Sequence, residues 1–388
     1  MADTIENEPM RSFPKLFVSL SLIASLAAGS LYGAKKKKKD EEQETQTLET
    51  VPDPPAAIQA DVSRMVFHTA PYTTKGLLSQ QVKDSIKALW KLNRRAQIVK
   101  IRALVAGTGD LRRVQSIVAE MFSGKRQPIP VVSVVQVGGL PVTGAQVVLE
   151  STAIERKPVN PNGLAFISGK GATAPFDLEN PNLRVMPLAA RSMADLRTAL
   201  TGVGASSDET LRVTCFMSSL EDHSQIHAIV AKEFPKAALA FAQTQRSPAQ
   251  KVVECEAIAR LSANPGVAWK VVNPPGLTAS PNFSQAAVAG PGNVVLSGSQ
   301  LAFRAQDSDV RLAFERLNSQ LEQAGSSMKN VFWSGIYSLS TAVTAKVRAH
   351  RFEFYDKANP PASTLMEFEG LPSLDSTFAL EVIAGVRP

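Results

Sequence analysis

The segment VQSIVAEMF at 114–122 returns as IHAIVAKEF at 226–234, and the likeness extends without a gap over 97–122 and 209–234. Both copies open on alternating apolar residues, Val99, Ile101, Ala103 and Val105 against Leu211, Val213, Cys215 and Met217, the period-two signature of a strand. Both pass through a polar turn into apolar residues at helical spacing, Val114, Ile117 and Val118 against Ile226, Ile229 and Val230. A third, fainter copy is NVFWSGIYSLSTAVTAKVRAHRFEFY at 330–355. Upstream of each strand the spacing predicts another helix, marked by Val82, Ile86 and Leu89, by Leu196 and Leu200, and by Val310, Leu317 and Leu321. The copies recur every ~110–120 residues, well beyond the periods of stacked solenoid units, so each is a whole domain.

Each unit reads strand–strand–helix–strand–helix–strand–strand, with two helices able to cover one face of a sheet. The other faces also need cover, and three copies supply it if the sheets pack around a pseudo-threefold axis, a covalent counterpart of a C3 trimer. A chain of 388 residues exceeds what one hydrophobic core ordinarily serves. Its net charge of +7 is uneven: residues 1–50 carry about −1, residues 51–157 about +8 and the remainder about zero.

The N-terminus follows another logic. An uncharged apolar run, LFVSLSLIASLAAGSLYGA at 16–34, precedes five lysines (Lys35–Lys39) and the acidic DEEQE. Small residues near Ala27 and Ser30 suit a signal-cleavage site, and the run is long enough to span a bilayer. Residues 1–34 are therefore expected to export the protein to a periplasmic or extracellular location, with a retained transmembrane tether as the alternative. Residues 35–60, rich in Lys, Asp, Glu, Gln, Thr and Pro, read as a flexible linker.

Beyond the linker, NFSQAAVAGPGNVVLSGSQLA at 282–302, LEQAG at 321–325 and NPPASTLMEFEGLPSLDSTFALEVIA at 359–384 resemble the RidA/YjgF family, also catalogued as L-PSP endoribonuclease-like. The strand–Pro-Ala–strand–Leu-Pro–strand ending is the specific part. GLAFISGKG (163–171) with VVECEAIARL (252–261), and PVVSVVQVGGLP (130–141), are similar in the second and first units. The resemblance implies an α+β, chorismate-mutase-like fold in three tandem RidA-like domains, 61–157, 158–266 and 267–388, forming a single-chain pseudo-trimer that is a monomer in solution. It also implies ligand clefts between neighbouring domains.

Family members hydrolyse enamines and imines; an arginine two residues after the signature proline pairs with the substrate carboxylate, and a last-strand glutamate positions water. The arginine's place is taken here by Val132, by Ala237 or a close neighbour, and by Ser363. A hydroxyl does not replace a fixed cation. The glutamate persists as Glu254, with Val148 and Ala379 elsewhere, and Phe283 stands where the family has a cleft tyrosine. Two readings stay open. Either Glu254 is a polar residue at a domain interface and the clefts are vestigial, or one cleft binds a small molecule through Phe283, Gly298, Ser299 and Ser363. The expectation is a catalytically degenerate binding or structural protein of the cell envelope, with a modified imine/enamine deaminase using Glu254 as the alternative.

Other features weigh less. His223 and His227 lie one helical turn apart but lack a metalloprotease glutamate, so no metal is expected, and no cofactor either. Two close glycines in SGKGATAP (168–175) read as a turn. Cys215 and Cys255 are the only cysteines; the resemblance makes their strands neighbours, so a disulfide is possible if the protein is exported. Lys83, Lys87 and Lys91 recur at i, i+4 and continue through Arg94 and Arg95 to Lys100, Arg102, Arg112 and Arg113. This is either a solvated face or a surface for anionic lipid or an acidic partner. RNA is the minority reading, because no aromatics interleave the stripe.

Overall fold

The computed structural model describes residues 51–107, 109–173, 185–245 and 251–386. The signal or anchor expected at 1–34 and the lysine block lie outside the described residues. The described residues form a single compact unit.

A short strand, β1 (Ala57–Asp61), comes first. Then β2 (Met65–Thr69), α1 (Leu78–Asn93), β3 (Gln97–Ala106), α2 (Arg112–Gly124), β4 (Val131–Val137) and β5 (Val147–Ile154) build a first sheet of order β2-β5-β3-β4. The second uses β6 (Leu164–Lys170), α3 (Val185–Gly202), β7 (Thr210–Met217), α4 (His223–Glu233), β8 (Ala238–Gln243) and β9 (Val253–Arg260) in the order β6-β9-β7-β8. Strands β10 (Trp269–Val272) and β11 (Ala286–Ala289) extend it beyond β6. The third joins β12 (Asn293–Ser297), β13 (Gln300–Phe303), α5 (Asp307–Gln323), β14 (Val331–Ser338), α6 (Thr341–His350), β15 (Ala362–Glu367) and β16 (Ser376–Gly385) in the order β12-β16-β14-β15, with β13 also on β16. In each sheet one pair is parallel, β3 with β4, β7 with β8 and β14 with β15, and the connecting helix is the crossover that such a pair needs.

Two boundaries differ from the sequence reading. Residues 57–60, read as linker, belong to β1, which pairs with β12 of the third sheet. Residues 269–289, read as the start of the third unit, complete the second sheet instead. In both cases an exposed sheet edge gains a strand, which satisfies backbone groups that would otherwise stay open.

The helices cover one face of each sheet. Val82, Ile86 and Leu89 of α1 pack with Ile101, Ala103 and Val105; Leu196 and Leu200 of α3 pack with Val213, Cys215 and Met217; Val310, Leu317 and Leu321 of α5 pack with Ile336 and Leu380. Val99 and Leu211 do not join this face as the simple alternation predicts. Register shifts at Ile98/Lys100, Thr210/Arg212 and Val331/Trp333 mark a bulge at matched points of three strands. The extra residue turns Val99, Leu211 and Phe332 to the opposite face.

Those opposite faces meet one another. Phe67 and Val99, Phe166 and Ile258, and Phe332 and Ile383 share one apolar cluster; Leu104 and Val135, Phe216 and Ala242, and Phe368 and Ala379 share another. Charge sits with them. Glu150, Glu256 and Glu381 hold the same register positions in the three sheets, opposite Arg102, Thr214 and Gly335 respectively. Arg102 therefore has one small neighbour at each matched position and extends into the room they leave. Its Nε donates to Glu150 Oε2 at 2.6 Å and its Nη2 to Thr214 Oγ1 at 2.9 Å. Nη1 lies 2.7 Å from Glu256 Oε1, an ion pair out of hydrogen-bond alignment, and 3.9 Å from Glu381 Oε1. Lys100 Nζ pairs with Glu381 Oε2 at 2.8 Å, Tyr337 donates to Glu381 Oε1 at 2.7 Å, and Ser133 donates to Glu381 Oε2. Lys100 and Arg102 are thus buried and leave the surface stripe to which spacing assigned them. Buried charge is tolerated here because each group has partners.

Candidate functional site

A cleft of about 470 Å³ opens between the second and third sheets. Glu254 on β9, Ser363 on β15 and Phe283 in the loop before β11 all line it. The second-sheet wall is built around Glu254, which is 5% exposed and lies over Gly169 and Gly171. A Cβ at Gly169 would overlap the Glu254 carboxylate, and one at Gly171 would lie 3.0 Å from it. The two glycines of SGKG are thus there to let a carboxylate approach the backbone. Lys251 pairs with Glu254 Oε2.

Between those glycines Lys170 is buried in the same wall. Its Nζ donates to Ser168 Oγ at 2.8 Å, to Gln285 O at 2.9 Å and to Gln285 Oε1 at 2.6 Å. Burial pulls the ammonium down to about 7, against the opposing pull of Glu254 and Asp195. Three acceptors around one nitrogen suit the charged form.

The third-sheet wall carries Ser363, Leu365, Arg348 and Arg351. Ser363 Oγ accepts from Ser334 Oγ at 3.0 Å. Register equates Ser363 with Val132 and Leu239, since these pair with Ser334, Ile101 and Val213 on matched strands. The second unit's counterpart is therefore Leu239, two residues beyond Ala237. Sequence reasoning missed Lys170, Lys251 and Arg351. Lys170 was legible as the one cation inside the otherwise small and apolar AFISGKG; Arg351 lies outside every motif the resemblance supplies.

Gly298 and Ser299 do not share this cleft. They line a second one, of about 290 Å³, with Val132, Gln115 and residues 53–56. Gly298 N–H donates to Ala56 O at 2.8 Å and Ser299 N–H to Val132 O at 3.2 Å. The four residues read as one ligand site are thus divided, because equivalent motifs in successive units face different neighbours. At the matching junction of the first and second sheets Val148 replaces Glu254, and Tyr72 donates to Phe241 O at 3.3 Å.

Elsewhere, Cys215 and Cys255 form a disulfide between directly paired residues of β7 and β9, with Cα atoms 4.1 Å apart. Rings of His223 and His227 both pack on Phe241, at 4.9 and 5.3 Å. Among the described residues no three His, Cys, Asp or Glu groups gather as a metal site. Lys87, Lys91, Arg94 and Arg95 are exposed and Lys83 is half-buried; Lys87 pairs with Asp84 at 3.2 Å. Among the described residues no helix is long and apolar enough to cross a membrane.

No family model matches the chain, and no curated protein is similar to it. Solved structures are similar over part of it. A Rid-family protein of unknown function from Yersinia pestis is 22% identical, covering 31% of this chain and 100% of its own, with a TM-score of 0.29. A YjgF-family member from Neisseria meningitidis is 15% identical over 28% of this chain and 92% of its own, with a TM-score of 0.23. RidA from an Antarctic Psychrobacter is 21% identical over 24% and 82%, with a TM-score of 0.21.

Proposed function

We propose that this chain is a RidA-like single-chain pseudo-trimer that binds a small molecule in the cleft between its second and third sheets. The observation that carries this reading is the meeting of Glu254, Phe283 and Ser363, from three separate segments, on one cleft of ligand size. Three sheets of the same strand order, bulged at the same point, support the pseudo-trimer. Binding is favoured over catalysis because Glu254 is already paired with Lys251 and the Ser363 hydroxyl is held by Ser334. The Cys215–Cys255 disulfide supports an oxidising compartment, and hence export.

Hydrolysis of 2-imino acids is the second reading, favoured by a buried carboxylate in the cleft wall. One experiment separates the two. The purified protein and its Glu254→Ala variant are assayed with freshly generated 2-iminopropanoate, and the thermal stability of both is followed across a panel of small metabolites. Ligand-dependent stabilisation without turnover supports binding. Turnover above the spontaneous rate that disappears in Glu254→Ala overturns it in favour of the deaminase.

A further inference from the structure

The third-sheet wall of the cleft holds cations that its neighbours do not balance. Helix α6 carries Arg348 in its last turn, and the chain runs on directly to Arg351. Arg351 is 2% exposed, and its Nε and Nη2 have no hydrogen-bond partner. The Phe352 ring centroid lies 5.1 Å from its guanidinium carbon and supplies no carboxylate or carbonyl acceptor to those buried donors. Arg348 is exposed on the same cleft. Among the described residues neither arginine belongs to an ion pair, whereas Glu254, the carboxylate across the cleft, is occupied by Lys251. Burial carries the Arg351 guanidinium down to about 10, with the Tyr355 phenol opposing the fall and Arg348 adding to it. Four cationic side chains, Lys170, Lys251, Arg348 and Arg351, face two acidic ones, Asp195 and Glu254.

Two guanidinium groups three residues apart, one buried with unmet donors, form an arrangement that an anion would relieve. The planar fork of arginine is suited to paired hydrogen bonds with carboxylate or phosphate oxygens. We propose that Arg348 and Arg351 form an oxyanion-binding subsite on the third-sheet wall, so that the molecule taken by the cleft carries a carboxylate or phosphate group. The subsite rests on the binding function proposed above and adds the chemical class of the ligand. The uncharged remainder of such a ligand would lie toward Phe283 and Leu365, apolar residues of the same cleft.

Calorimetric titration of the purified protein at low ionic strength, with inorganic phosphate and pyruvate as separate probes, tests this. Saturable binding of either is expected, the stronger probe identifying phosphate or carboxylate as the group recognised. Arg348→Met, a change at an exposed side chain outside the packed core, should weaken that binding about tenfold or more, the order of a lost charge-assisted hydrogen bond. Arg351→Met should abolish it and Arg351→Lys restore it in part, while Lys87→Met on α1 leaves it unchanged. Equal binding by wild type and Arg348→Met, or binding by neither, overturns the subsite. An uncharged fragment that stabilises the wild type but not Leu365→Trp, when neither anion binds, sinks the subsite and spares the binding function. Failure of fragments and anions alike sinks both.

Discussion

Replacing Arg102 by methionine removes the guanidinium that reaches Glu150, Glu256 and Glu381 together. Glu150 loses the 2.6 Å bond to Nε, and Glu256 loses its 2.7 Å ion pair. Lys100 still holds Glu381 at 2.8 Å, so that third carboxylate keeps a partner. Stripping one partner from a buried ion pair costs about 3–5 kcal/mol. With an unfolding entropy of about 2.1 cal/mol/K per residue over the compact unit that begins at residue 50, this is a fall in Tm of roughly 4–7 °C. The pH dependence distinguishes lost charge from lost packing. Burial pushes both carboxyls up, but Lys100 and Arg102 outweigh it at Glu381 and carry it down to about 2, and Arg102 with Arg212 holds Glu150 below its ordinary value. Folded values below the unfolded ones mean that this stabilisation is present above about pH 4.5 and is lost as pH falls toward 2. In Arg102→Met the freed Glu150 carboxylate protonates at higher pH, so the gap to wild type should narrow as pH falls below about 5. Chemical denaturation at a series of pH values reads this directly, and adding Glu150→Gln and Glu256→Gln should recover much of the loss at pH 7. A deficit of less than ~1 kcal/mol at pH 7, or a gap that stays constant with pH, would refute a structural role for the charge cluster.

Cys215→Ala should cost about 4 kcal/mol in the chain-entropy account, from the 40-residue separation of the pair, and reduction with alkylation followed by mass spectrometry should show no free thiol beforehand. Gly169→Ala places a Cβ against the Glu254 carboxylate and should destabilise by roughly 1–3 kcal/mol while weakening any cleft ligand in calorimetry. Gly124→Ala, with nothing within 4 Å of the added atom, should be neutral to slightly stabilising by the same measures. Light scattering of the purified protein should report one chain per particle; a stable trimer of chains would contradict the single-chain pseudo-trimer.

The apolar stripes of α1, α3 and α5 were legible because helical period and burial coincide there, and Val82, Leu196 and Leu317 are all fully buried. Val99 and Leu211 were misread because a bulge changes the phase of a strand without changing its composition. Glu254, Phe283 and Ser363 could be singled out because the resemblance drew attention to their positions, and the structure sets all three on one cleft. Gly298 and Ser299 could not be separated from them, since a local motif does not say which sheet it will face. Lys100 and Arg102 looked like surface charge because a basic run conceals alternation. Their partners, Glu150, Glu256 and Glu381, interrupt apolar strands at matched positions, and that interruption was the readable sign of a shared charged layer.

That layer also bears on why the three junctions differ. Three identical chains around an axis would place the same residue at each of the positions held here by Arg102, Thr214 and Gly335. Three arginines would crowd one charged centre, and three small residues would remove the guanidinium that Glu150 and Glu256 share. Gly335 shows how little room remains, since a Cβ there would lie 3.1 Å from Trp333 and 3.2 Å from Glu381 and Tyr337. A single arginine at this level, with Lys100 beside Glu381 and Arg212 beside Glu150, needs three sheets that differ from one another, which supports the single-chain pseudo-trimer proposed above. The clefts differ as well: one junction holds Glu254, Arg348 and Arg351, another is lined by residues 53–56, and the third is bridged by Tyr72. A single ligand per chain is the stoichiometry this asymmetry favours, and calorimetry with any saturating ligand would count it; three equivalent sites would mean that the junctions have not diverged in function.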